Sequence, residues 1–290
     1  MKRLSENYPV QIACALVVSL FLLRAIDVFI VRSDEWFGEQ VLTKVAGVIL
    51  IFAYVWFARG NLAGIGLHSR NWLIFILLGL CITMVGLFIG YGVEWLYLSN
   101  KGLSPRLLVE PQGNTLIPEY VTTGGIFFAF TLLGGNIINS FFEEGLFRGI
   151  LITHLGSRMS LAKANAIQSS LFGIWHIAWP LRDFVDGRTT LMAALWTSIG
   201  YVLLSGLIGF AWGYLYLETN SLWTSWSAHT LNNSVINLVH ITTSMGIAST
   251  LGLRVAVSTI SIVALLLIIR KVAQTRAINH PVCRDRRKSG

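Results

Sequence analysis

The chain has 290 residues, of which 54% are hydrophobic and 12% charged, with a formal net charge of +8. Soluble domains carry roughly 25% charged residues, so this chain lacks the charge to cover a water-facing surface, and its mean hydropathy of +0.65 excludes an ordinary soluble enzyme. Cys14 and Cys81 lie in apolar runs and Cys283 in a basic tail, which excludes a disulfide framework or a cysteine metal cluster.

The apolar runs are continuous rather than alternating, so they predict membrane helices and not barrel strands. A helix rises ~1.5 Å per residue and the hydrocarbon core is ~30 Å thick, so about 20 apolar residues suffice to span it. In chain order the runs are 10–31, 41–58, 72–97, 124–155, 161–179, 190–217, 222–240 and 249–269. The fold class is therefore all-α, a polytopic membrane protein with about eight transmembrane helices. Lys2 and Arg3 precede the first run, but it is too long for a signal peptide's apolar region and no small-x-small site follows before Asp34. It reads as a retained helix.

The stretch 99–123, punctuated by Pro105, Pro111, Gly113 and Pro118, is the longest connection. It separates an N-terminal three-helix part (1–110) from a core (124–240) whose bundle is formed by the C-terminal five helices. A basic tail (270–290) follows, and the whole reads as one integral membrane domain (1–290). The tail holds Arg270, Lys271, Arg276, Arg284, Arg286, Arg287 and Lys288. Positive charge beside a membrane helix marks the cytoplasmic side, so the tail points to cytoplasmic termini in the plasma membrane rather than to a nucleic-acid partner.

Ionisable residues inside spans are costly, and they are usually paired, cavity-facing or functional. In the fourth run Asn136, Asn139 and Glu143 fall at i, i+3 and i+7, one face of a helix. Glu144 and Arg148 stand at i and i+4 with the acid first, which predicts an ion pair and leaves Glu143 as the acid without a local partner. In the fifth run Phe172 and His176 are one turn apart. In the seventh, Ser225, His229, Asn233 and Asn237 follow at four-residue spacing, a polar stripe that must face protein or water.

Depth connects the three segments. Turns near 156–160 and 218–221 bring Glu143, His176 and His229 to similar levels in antiparallel helices. A carboxylate and an imidazole around one water form a hydrolytic site. A second imidazole with an amide one turn away can hold an oxyanion.

Glu143-Glu144 with Arg148, Phe172 with His176, and His229 with Asn233 resemble the EExxxR, FxxxH and HxxxN motifs of the CAAX-protease and bacteriocin-processing family of intramembrane endopeptidases. The stretch 206–223 is similar to that family's corresponding segment, and the resemblance covers about 124–240. It implies eight spans and a site opening toward the cytoplasm. It also implies that Glu143 and His176 activate water, that His229 and Asn233 stabilise the oxyanion, and that Glu144, Arg148 and Phe172 support the site. The implied substrate is a membrane-associated protein or peptide, with no cofactor. Two alternatives stay open. One is a zinc hydrolase using Glu143, His176 and His229 as ligands; the other is a non-enzymatic transporter or partner-binding membrane protein.

Overall fold

An unpaired backbone amide in hydrocarbon costs several kcal/mol, so a chain this apolar pairs its backbone within helices. The computed structural model describes residues 7–37, 40–59, 62–68, 70–112, 124–244, 246–247 and 250–279. Lys2, Arg3, Gly113, Pro118, Cys283 and most of the basic tail lie outside the described residues.

The helices are α1 (Pro9–Ile26), α2 (Ser33–Phe37), α3 (Val41–Tyr54), α4 (Trp72–Asn100), α5 (Ile126–Glu144), α6 (Thr153–Gly156), α7 (Leu161–Trp175), α8 (Ala178–Val185), α9 (Leu191–Thr219), α10 (Leu222–Leu238) and α11 (Leu251–Asn279). Wider-pitched π-helical turns continue α1 (Asp27–Val31), α3 (Val55–Arg59) and α5 (Gly145–Ile152). Among the described residues, six helices are long and apolar enough to cross a membrane: Pro9–Val31, Val41–Ala58, Trp72–Asn100, Ile126–Gly156, Leu191–Thr219 and Leu251–Val272. The chain is an all-α integral membrane protein.

Two of the eight runs are not among these six, and the reason is physical. The runs 161–179 and 222–240 form helices of 15 and 17 residues, short of the ~20 that span hydrocarbon. The first ends at Trp175 with His176 as its C-cap, and a separate helix follows. The second ends where Val239 enters a strand. Both are polar inside: α7 buries Asn165, Gln168 and Ser169, and α10 buries Ser225, His229 and Asn237.

These two short helices are held between longer ones. α7 packs on α9, α10 on α4 and α5, and α11 on α4. Small residues permit the close approach: a Cβ on Gly173 would stand 3.3 Å from the Gly206 Cα. The core around them collects Leu146, Phe147, Phe172, Trp175, Trp212 and Ala228.

A three-stranded antiparallel sheet, in the order β1 (Arg106–Val109), β2 (Val239–Thr243), β3 (Gly246–Ile247), closes one end of the bundle. Arg106 lies opposite Thr242 and Val109 opposite Val239. Because β2 follows α10 without a break, the sheet fixes that helix's end. Tyr91 and Arg254 reinforce the junction by donating to the Val239 carbonyl at 2.6 and 3.0 Å, and Arg254 pairs with buried Glu94 at 2.5 Å.

Charge locks a second junction. Arg182 in α8 pairs with Asp34 and Glu35 at 2.7 Å each, and Arg32 with Asp186 at 2.5 Å. The segment just after His176 is thereby tied to the connection between α1 and α3. Buried Asp27 completes that connection by accepting from the Ser33 hydroxyl at 2.6 Å and from the Thr43 amide and hydroxyl at 2.8 Å each. The Thr43 amide lies in the first turn of α3, where amides have no helical partner.

Candidate active site

Glu143 and Glu144 are the last two residues of α5, and the π-helical segment Gly145–Ile152 begins beside them. Such wider turns often occur at functional sites; this one is wholly buried. The predicted i,i+4 pair is present, with Arg148 3.0 Å from Glu144 and both side chains fully buried. Arg148 also donates to the Gly209 carbonyl at 3.0 Å and lies 4.4 Å over the Phe172 ring. Its charge is thus matched by a carboxylate, a carbonyl and a π-face, while its Nε and Nη1 make no hydrogen bond.

Glu143 has partners that its own helix did not disclose. Its Oε1 accepts from the Trp175 indole at 2.9 Å and lies 3.6 Å from an Arg24 nitrogen. Its Oε2 makes no hydrogen bond and stands 3.7 Å from His229 Nε2. One oxygen is therefore tethered, and the other faces an imidazole across a gap wider than a hydrogen bond.

The two histidines are oriented by the nitrogen facing away from that gap. His229 Nδ1 is 2.9 Å from Glu144 Oε1, and its ring stacks on Trp212 at 4.1 Å and 22°. A carboxylate only accepts, so Nδ1 carries the proton. His229 can then donate through Nε2 only as an imidazolium. His176 Nδ1 donates to the Phe172 carbonyl at 2.8 Å, which leaves Nε2 of the neutral ring with its lone pair. His176, His229 and Arg24 all lie within electrostatic reach of Glu143. Phe172 is a shared wall, with its ring centre 4.7 Å from that of His176 and 5.9 Å from that of His229.

The polar stripes on α5 and α10 face each other. Thr230 donates to Ser140 at 3.0 Å, and Asn237 to the Asn136 side chain at 3.5 Å. Six of the sequence-predicted residues come together: Glu143, Glu144, Arg148, Phe172, His176 and His229. Asn233 lies on the same face of α10, one turn beyond His229. Its recorded hydrogen bond, at 3.4 Å, comes from Asn232. Asn139 is only half-buried, whereas Asn136 is buried.

Both acids also have partners from other elements. Glu143 is partnered, from α1 and α7 rather than from α5, and Glu144 serves His229 as well as Arg148. Sequence reasoning missed Arg24, Trp175 and Trp212. Arg24 carried a signal, since a charge inside a 23-residue apolar helix marks a functional or paired position. The two tryptophans carried none, because aromatic residues are ordinary in such helices. Among the described residues, no group of three or more His, Cys, Asp or Glu side chains is arranged to hold a metal ion.

Residues 125–235 match the family described as Type II CAAX prenyl endopeptidase Rce1-like. The matched segment contains Glu143, Glu144, Arg148, Phe172, His176, His229 and Asn233. No curated protein matches the chain.

Proposed function

We propose that this membrane protein, whose residues 125–235 match a family of endopeptidases, hydrolyses a peptide bond of a membrane-associated protein or peptide. The observation that carries the reading is the asymmetric Glu143 carboxylate, with one oxygen tethered by Trp175 and the other open toward His229. A general base needs that arrangement, a fixed group with a free lone pair.

In this mechanism Glu143 Oε2 takes a proton from a water that the His176 Nε2 lone pair helps to orient. The water oxygen bonds to the substrate carbonyl carbon. His229, as an imidazolium held by Glu144, donates through Nε2 to the oxyanion that forms, and the Asn233 amide adds a second donor. The proton on Glu143 then passes to the leaving nitrogen as the carbon–nitrogen bond breaks. Arg148 and Phe172 hold Glu144 and the imidazoles in place. The chemistry is metal-free in this reading, and the protein sits in the plasma membrane with cytoplasmic termini.

The test compares new protein termini, by mass spectrometry, in membranes from cells with and without the chain. A defined set of termini that appears only with the protein supports the reading. Substrate flux in proteoliposomes with no new termini would favour a transporter.

A further inference from the structure

Arg24 sits in α1 between apolar residues, and only 4% of its surface is exposed. A guanidinium in that position is costly unless matched by a charge. The nearest acid on its own helix, Asp27, has both carboxylate oxygens engaged, one by Ser33 and the other by Thr43. The acid that Arg24 reaches is Glu143, at 3.6 Å.

We propose that Arg24 is the countercharge and positioning residue of Glu143, so that the first span completes a site whose other residues lie within 125–235. The proposal rests on the reading of Glu143 as the base and adds what holds that base ready. The Arg24 guanidinium lies 4.8 Å over the Trp175 ring, and the same indole donates to Glu143 Oε1 at 2.9 Å. Cation, indole and carboxylate form one closed unit. The indole's hydrogen bond and the guanidinium's charge both act on Oε1, which fixes the carboxylate's rotation and leaves Oε2 on the His229 side.

The charges around Glu143 assign it this partner. Glu144 and Arg148, on its own helix, pair with each other at 3.0 Å. Arg24 faces it from α1, His176 from the end of α7 and His229 from α10, while Asp27 faces Arg24. With Glu144 shared by Arg148 and His229, and Asp27 held by hydroxyls and an amide, Arg24 is the cation on the Oε1 side of Glu143. An ionised carboxylate in hydrocarbon requires such a cation.

Dicyclohexylcarbodiimide tests this without a known substrate. It reacts with protonated carboxyl groups in membranes: the O–H adds across one C=N bond, and an acyl shift leaves a stable N-acylurea. The full chain in detergent is treated at pH 7, and the peptide containing Glu143 is weighed. Wild-type Glu143 stays unlabelled, Arg24→Lys keeps the charge and stays unlabelled, and Arg24→Gln is labelled. Cleavage by Arg24→Gln falls by roughly tenfold or more, the equivalent of one unit in the base's protonation equilibrium, with partial rescue in Arg24→Lys. Labelling of Arg24→Gln no greater than wild type would overturn the proposal. If Arg24→Gln is poorly produced, removing both charges in Arg24→Gln/Glu143→Gln restores the yield; a double variant as poor as the single also overturns it. Active Glu143→Gln protein would instead remove the reading of the base, and the labelling comparison would still report on the pair.

Discussion

Glu144→Gln tests how far one carboxylate supports two partners. Glu144 Oε1 lies 3.0 Å from Arg148 and 2.9 Å from His229 Nδ1, with all three side chains 2% exposed or less. Glutamine can still accept from His229, but it removes the charge that matches Arg148. Breaking a buried pair on one side costs about 3–5 kcal/mol. The retained bond to the Gly209 carbonyl and the contact with the Phe172 face hold the loss near the lower end, about 3 kcal/mol. At about 2–4 °C per kcal/mol, the midpoint falls by roughly 6–12 °C. Thermal unfolding in detergent, followed by circular dichroism, reads this directly. Glu144→Gln/Arg148→Met removes both charges and recovers most of the loss. Full stability in both single variants would refute the pairing as a source of stability. Activity should be lost in Glu144→Gln regardless, because an amide can turn its NH2 as well as its oxygen toward His229 Nδ1 and no longer fixes which ring nitrogen carries the proton.

Three further outcomes follow from the same geometry. Asn233→Ala lowers turnover by ~10²–10³-fold, the usual effect of a missing oxyanion donor, without changing the melting midpoint; a single-turnover assay measures it, and unchanged turnover would remove Asn233 from the site. Metal analysis of active protein finds well under one zinc per chain, and His229→Gln retains weak activity that added zinc does not raise. Stoichiometric zinc, lost from His176 and His229 variants together with activity, would establish the metal reading instead. Burial holds the His240 imidazole below its ordinary range while its Nε2–H donates to the Glu110 carbonyl. The unfolded chain takes up that proton first, so this contribution is full above about pH 6.5 and is lost as pH falls below it. Between pH 7.5 and 5.5 wild type should lose more thermal stability than His240→Gln; equal losses would count against it.

Local spacing carried much of this site. The Glu144–Arg148 pair was legible because i,i+4 neighbours meet on any helix. The facing stripes were legible because four polar residues on one helix face need partners. Helix ends were harder to read. The run 161–179 appeared continuous because Ile177 and Ala178 are as apolar as a membrane helix requires, so nothing marked the break at His176. The sheet left a signal that was passed over: Val239, Ile241, Thr242 and Thr243 are β-branched, the composition a strand favours. Arg24 and Trp175 reach Glu143 from elements 119 and 32 residues away, by subtraction of residue numbers. Tertiary packing alone sets such contacts.

Glu143→Gln tests the central claim most directly. The amide can still accept from Trp175 but cannot take a proton from water. The assay uses purified wild-type and variant protein in proteoliposomes, with a substrate identified from the new termini. The account predicts that cleavage falls to background in Glu143→Gln while its circular dichroism spectrum stays that of the folded wild type. Near-normal turnover by a folded Glu143→Gln protein would contradict it.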